Sequence, residues 1–469
     1  MKLNYKRTFF IGLAFLSICA FWQVYDNVIP LILQNTFHLK ETATGVIMAL
    51  DNILAIFLLP VFGTLSDKVD TPLGRRTPFI ICGTLFAVAF YLLLIVADRK
   101  VNLLLFVVML FGALLSMGLY RSPAVALMPD LTPNVVRSKA NAVINLMGSI
   151  GGVYALIMIK LLSGKKDAAG KTDYFPLFLS ISVLMIAAVV ILVFTINEKK
   201  VKNQVEGEIR RYAKLHPEDS KELQSLDGGS ALKAVKGATP EELSRKAAES
   251  MPKDGPTSTV VVNPPMTEKV KRSMIFLLIS IFFWFTAYNA VTTAFSRYVG
   301  HVWGMKDGSY ATCLLVATVA AVISYIPIGL LSSRIGRKKM ILIGVALMAL
   351  CYLLAGFVNQ YAFWINGVFA LIGFAWASIN VNSYPMVVEM SKGSDIGKFT
   401  GTYYTFSMAA QIMTPILSGF LLEHVSYRTL FPYAFGFSVA AFLTMTQVRH
   451  GDVRPAAKAS VLEHFDVDD

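Results

Sequence analysis

Charge is scarce in this chain. Of 469 residues, only 16% are Asp, Glu, Lys or Arg, against about a quarter in a soluble domain. That shortage excludes an ordinary soluble globular protein. Cysteine is sparse too: Cys19, Cys82, Cys313 and Cys351 all lie in apolar segments and share no close spacing. They read as small buried hydrophobes, which leaves no disulfide framework, metal site or redox pair. The six histidines are scattered, mostly in loops and tails. No Gly-rich phosphate loop follows a strand, and Gly-x-Ser-x-Gly does not occur. Neither an enzyme nor a bound cofactor is expected.

Apolar sequence fills the space instead. The chain is 55% hydrophobic, with a mean hydropathy of +0.58. Residues 79–97 and 103–120 contain no charge at all. A run of about 18 or more apolar residues spans a bilayer, and it does so as a helix because lipid offers its backbone no partners. Twelve such spans are predicted, over residues 8–33, 42–65, 78–97, 102–127, 138–162, 175–196, 273–302, 312–331, 340–358, 361–390, 396–422 and 429–448. The fold class is therefore an all-α membrane protein. The basic start followed by a long apolar run mimics a signal peptide. Its length and the lack of a small-residue cleavage site read as an uncleaved first helix.

The net charge of +13 points to membrane topology and not to nucleic acid. Among short loops and tails, seventeen Lys and Arg fall on the side of the termini and nine on the other. Positive charge stays in the cytoplasm, so both termini are expected there, in a multi-pass protein of the plasma membrane. The loop over residues 160–171 runs against this trend and also holds Asp167 and Asp173.

One large polar segment divides the spans six and six. The expected domains are an N-terminal bundle (1–197), a cytoplasmic linker (198–272), a C-terminal bundle (273–448) and a cytoplasmic tail (449–469). Thr239-Pro240-Glu241-Glu242 carries helix-start signals, so the linker is either disordered or holds short helices.

The two halves repeat. Gly63-Thr64-Leu65-Ser66-Asp67-Lys68 and then Gly74-Arg75-Arg76 follow the second span. Gly329-Leu330-Leu331-Ser332-Ser333-Arg334-Ile335-Gly336-Arg337-Lys338 follows the eighth, and Pro60 or Pro327 precedes each copy. This resembles the loop motif of the major facilitator superfamily, G-x-x-x-D-[RK]-x-G-[RK]-[RK]. The second copy has Ser333 in place of the acid, and the first inserts residues 69–73. The expanded loop ending in Gly74-Arg75-Arg76-Thr77-Pro78-Phe79 is similar to the glycoside–proton symporters related to plant sucrose carriers. Residues 123–130, Ala140-Asn141-Ala142, Tyr384-Pro385 and Gly401-Thr402-Tyr403-Tyr404 extend that resemblance over nearly the whole chain outside the linker. It implies two pseudo-symmetric bundles that rock about a central site. It also implies conformational latches in which Asp67 and Asp130 meet Arg75 or Arg76, and Glu389 meets Arg337. Such latches would favour an outward-facing state. Alternatively, these arginines only fix topology.

Ionisable residues inside a membrane are costly and mark function. Asp26 lies ~11 Å below the extracellular end of span one and Asp51 ~14 Å below that of span two, at 1.5 Å per residue. Two facing carboxylates repel in low dielectric, so one should hold a proton. Arg121, ~12 Å from the cytoplasmic end of span four, is placed to stabilise a deprotonated partner but sits too far from Asp26 for a direct pair. These three are the expected proton-coupling residues; buried polar networks are the alternative for the two acids. Arg297, near the outer end of span seven, is expected to snorkel to water. The acid that plant sucrose symporters carry in span four is replaced by Leu114. The paired acids of melibiose-type sodium symporters are replaced by Ala55 and Leu59, which weakens a sodium-coupled reading.

Sugar sites combine aromatic faces with amides. Trp22, Gln23, Asn27, Asn145, Tyr288, Asn289, Trp376, Asn380, Tyr404 and Gln411 supply both and are the expected substrate-binding set, although amides also glue helices together. Gly148, Gly151, Gly152, Gly397 and Gly401 suit close packing and hinging. The leading expectation is proton-coupled uptake of a sugar or glycoside by a monomer. Its partners would be the small molecule, the proton and the bilayer. A proton-driven exporter of drugs or metabolites is the alternative, and a non-transporting nutrient sensor a more distant one.

Overall fold

The uncharged runs form long helices in the computed structural model, which describes residues 3–133, 136–164, 166, 170–215, 267–306, 308–390 and 396–452. The linker signal at Thr239-Pro240-Glu241-Glu242 and most of the tail lie outside the described residues. The first half comprises α1 (Tyr5–Asn35), α2 (Glu41–Lys68), α3 (Thr77–Arg99), α4 (Leu103–Asp130), α5 (Arg137–Leu162) and α6 (Phe175–Thr195). A polar helix, α7 (Glu198–Leu215), follows. The second half comprises α8 (Glu268–Val302), α9 (Ala311–Ile335), α10 (Arg337–Gly356), α11 (Ile365–Met390), α12 (Ile396–His424) and α13 (Leu430–Thr446). Twelve helices are long and apolar enough to cross a membrane. Most boundaries fall within a few residues of the predicted spans, and α8 starts five residues before the predicted 273.

Helices α1–α6 pack on one another, as do α8–α13. The halves meet where α2 runs beside α12, α5 beside α9, and α1 beside α8. The face that carries the start of α1 and the end of α13 is the near face; the other is the far face. Glycines permit backbone contact along the seam. A Cβ on Gly45 of α2 would collide with the carbonyl of Pro415 in α12, and one on Gly419 of α12 with that of Glu41.

Two far-face bases lie against acids, which offsets the run of positive charge over residues 160–171. Lys171 Nζ is 2.7 Å from Asp98 Oδ1, and Arg99 Nη2 is 3.1 Å from Asp173 Oδ1.

The repeat extends past the sixth helix of each half. Glu198, the first residue of α7, is buried. Its carboxylate accepts the backbone N–H groups of Arg75 (2.7 Å), Arg76 (3.0 Å) and Thr77 (3.0 Å), as well as the Thr77 hydroxyl (2.9 Å). These are orphan donors at the start of α3, where a negative charge is also favoured by the helix dipole. In the second half, Asp452 after α13 accepts the N–H of Lys338 at the start of α10 (2.9 Å). Each acid sits against a glycine of positive φ, Gly74 (117°) or Gly336 (96°), that has no room for a Cβ. Beside the first of these caps, Lys199 bonds Asp70 (3.1 Å) and holds that carboxyl below its ordinary range.

Glu198→Ala strands three backbone donors and a hydroxyl and should lower stability by about 1–3 kcal/mol. Asp452→Ala strands one and should lower it by about half as much or less. Thermal unfolding of the solubilised chain measures both, and equal losses would contradict this ranking.

Candidate functional site

Depth brings the two intramembrane acids level. Asp26 stands nine residues before the end of α1 at Asn35, and Asp51 ten residues after the start of α2 at Glu41. At 1.5 Å per residue both lie ~14–15 Å below the far face. They are close enough to interact electrostatically, and Arg121 of α4 is within reach of Asp51. Their surroundings differ, however.

Asp51 accepts a hydrogen bond from Asn52 Nδ2 (2.8 Å). It lines a recess of about 20 Å³ between α1, α2 and α4, together with Trp22, Leu114 and Arg121. The Arg121 guanidinium lies 6.0 Å from the Trp22 ring centre, within cation–π range. Trp22, expected to bind substrate, is thus placed on the acid–base cluster of the first half. Leu114 and Ala55 form part of the same apolar wall.

Asp26 opens instead onto a cavity of about 220 Å³ between α1 and the second half. Gln23 and Asn27 join it from α1, the first one turn before the acid and the second next to it. Tyr288, Asn289 and Thr292 come from α8, and Thr318, Tyr352 and Phe369 from α9, α10 and α11. Four of the ten expected substrate contacts are therefore brought together: Gln23, Asn27, Tyr288 and Asn289. Trp376 supports them from behind, its ring stacked on Tyr288 at 3.7 Å and 6°. Three buried polar atoms of the lining, Asn27 Oδ1, Asn289 Nδ2 and the Tyr352 hydroxyl, make no hydrogen bond within the protein. Buried polar groups are normally satisfied, so this convergence marks a place for a polar guest. Asn145, Asn380, Tyr404 and Gln411 lie outside the cavity lining. Asn380 is buried, and Tyr404 packs edge-on against Tyr403 at 5.4 Å.

Thr292, Thr318 and Tyr352 were not foreseen. A hydroxyl on an apolar helix is common, and nothing in the sequence orients these three toward α1.

On the near face, Arg76 collects the charges of the first repeat copy. Its Nε donates to Asp130 Oδ2 (2.9 Å), and its two Nη atoms reach Asp67 and the Ser66 hydroxyl. Among the described residues the arginine that pairs with Asp67 and Asp130 is Arg76, while Arg75 gives its backbone N–H to Glu198. The second copy places Arg337 Nε 2.8 Å from Glu389 Oε1. Each cluster lies inside one half, and both are formed while the far face is sealed.

That seal corrects the expectation for Arg297. Its side chain is 2% exposed and does not snorkel. Its Nε donates to Glu41 Oε2 across the seam at 2.8 Å, and Glu41 is 3% exposed. Nearby, Glu423 of α12 accepts the Thr42 N–H (2.9 Å) and lies 3.6 Å from Lys40. The Tyr310 hydroxyl donates to the Asn27 carbonyl (3.2 Å).

Comparison with known proteins agrees with this architecture. The sequence profile of the Major Facilitator Superfamily matches residues 11–323 and 277–464. A stretch of 118 residues is 30% identical to a chloramphenicol resistance protein of Acinetobacter baumannii, covering 25% of this chain and 27% of that one. A stretch of 189 residues is 25% identical to an MFS-type transporter of Mycobacterium tuberculosis, covering 39% and 27%. The chain thus spans about a quarter of the length of these curated relatives. Among solved structures, the nucleoside transporter NupG superposes with a TM-score of 0.63 at 15% identity, covering 95% of this chain and 100% of that one. A proton-dependent oligopeptide transporter superposes with 0.64 at 12%, again covering 95% and 100%. At such identities these likenesses speak for the fold alone.

A double-mutant cycle ranks the near-face clusters. Arg76 is more buried than Arg337 and serves more acceptors. Within the ~0.5–3 kcal/mol span of contacting pairs, Arg76–Asp130 coupling should exceed Arg337–Glu389 coupling. Equal couplings in chemical or thermal unfolding would contradict that order.

Proposed function

This chain belongs to the Major Facilitator Superfamily, and we propose that it takes up a small sugar or glycoside together with a proton by alternating access. The observation that carries this reading is the position of Asp26. A single acid shares one wall with two amides, Gln23 and Asn27, and faces a third, Asn289, and an aromatic platform, Tyr288 on Trp376. Amides exchange hydrogen bonds with hydroxyl groups in both directions. The aromatic face covers the apolar side of a sugar ring.

In this reading Asp26 takes a proton when the cavity faces outward and releases it when the cavity faces inward. Asp51 shares the charge, and Arg121 favours the deprotonated state. Ligand and proton meet at Asp26, so each biases occupancy by the other. The near face is cytoplasmic, a reading the loop charges support, and the protein works as a monomer in the plasma membrane. A sealed far face then makes this the inward-facing state. The arginine clusters brace each half as a rigid body through the rocking motion.

The second reading is proton-driven export. It draws support from the 30% identical stretch shared with a chloramphenicol resistance protein. The lining weighs against it: Gln23, Asp26, Asn27 and Asn289 face the cavity, where an exporter of apolar drugs calls for Phe and Met.

Reconstituted proteoliposomes with an inward proton gradient should accumulate radiolabelled sucrose or methyl glucoside. Asp26→Asn should abolish gradient-driven accumulation, a loss of tenfold or more, while sparing exchange of labelled for unlabelled sugar. Accumulation unchanged in that variant would remove Asp26 from the mechanism. Gradient-driven expulsion of chloramphenicol with no sugar uptake would favour the exporter.

A further inference from the structure

A buried ion pair crosses the seam above the cavity. Glu41 begins α2 of the first half, and Arg297 stands in the last turns of α8 of the second, 256 residues away. Both side chains are almost fully buried, at 3% and 2% exposure. Arg297 Nη1 also donates to the Thr293 carbonyl (3.1 Å). That carbonyl belongs to the turn that sends Thr292 and Asn289 into the cavity, and the Thr293 hydroxyl in turn bonds the Asn289 carbonyl (2.7 Å). The arginine therefore ties the seal to the cavity wall through one turn of helix.

We propose that the Glu41–Arg297 ion pair is the outer gate of this transporter, and that it breaks and re-forms in each cycle. Around it the seam is backbone against backbone, at Gly45 on Pro415 and Gly419 on Glu41. Backbones in contact cannot swing aside as a side chain can, so opening of the far face there requires separation of the halves, and that separation must part Glu41 from Arg297. An ion pair suits such a gate. Burial penalty and mutual attraction nearly cancel for the intact pair, whereas one charge left buried alone is strongly unfavourable. Opening returns both groups to water together, so it carries little electrostatic penalty. Removing one partner has the opposite effect on the closed state. It strands the other charge in the seam, and the halves then part to hydrate it.

The proposal fixes a pattern of signs. Either single neutralisation, Glu41→Gln or Arg297→Gln, should open the far face. Neutralising both, or exchanging them as Glu41→Arg with Arg297→Glu, should close it again.

The probe is a membrane-impermeant maleimide applied to intact cells that express the full chain carrying Thr292→Cys in the cavity wall. Labelling of the chain with only its four native cysteines is subtracted. Each single variant should label about tenfold faster or more, and the exchanged pair should return to the parental rate. Single variants that label at the parental rate would overturn the gate, as would an exchanged pair as fast as the singles. If the single variants fail to elute as folded protein, the exchanged pair and a Glu41→Ala, Arg297→Ala double variant decide. Folded protein and a parental rate for both support the gate, and a fast rate for either overturns it.

This inference rests on the alternating access proposed above but needs no ligand. Failed sugar uptake with the expected labelling pattern would sink the sugar–proton reading alone. Normal uptake with flat labelling would sink the gate alone.

Discussion

A charge inside a bilayer must be paired or must face water, and this one constraint sorts nearly every ionisable side chain described. Arg76 meets Asp67 and Asp130, Arg337 meets Glu389, Lys171 meets Asp98, and Arg297 meets Glu41. The first two groups lie within a half and hold helices to one another. The last crosses between halves and holds them together. Asp26 follows the other branch of the rule and is set on a cavity wall. The same electrostatic requirement thus supplies braces, a seam contact and a site, according to which helices share the charge.

The cavity is built unevenly. The first half contributes a single face of α1, bearing Gln23, Asp26 and Asn27, while α8–α11 contribute the remainder. One turn before Asp26 on α1, Trp22 lines the neighbouring Asp51 and Arg121 recess. One helix consequently touches both clusters, and a rotation of α1 would be felt by each. Coupling between two sites calls for an element with two arrangements that both can bias. A central helix that reads both clusters meets that description better than a chain of surface contacts would.

Much of this was legible in the sequence. Hydropathy marks the helices because a lipid-embedded backbone has few alternatives. The repeated glycine–arginine motif exposes the duplication, and Asp26, Asp51 and Arg121 stand out because intramembrane charge is rare. The rotation of each helix about its own axis was not legible. Hydrophobic periodicity is weak where one face meets lipid and the other meets apolar neighbours. Hence Trp22 lines the Asp51 recess and not the cavity, Asn145 and Gln411 lie outside the cavity lining, and nothing in the sequence singles out Tyr352. Arg297 misled for a related reason. Snorkelling is the default near a helix end, and only the tertiary fold brings Glu41 to it. Glu198 was counted as linker because it follows the last apolar residue, though it serves the start of α3.

The paired caps redraw the limits of the duplicated unit. Each half is finished not by its sixth transmembrane helix but by an acid just beyond it, Glu198 or Asp452, that reaches back to the third. A chain divided between residues 197 and 198 would hand the first half's own keystone to the second. Co-expressed fragments meant to reassemble would have to be separated past Leu215, where α7 ends, and the second fragment would have to retain residue 452.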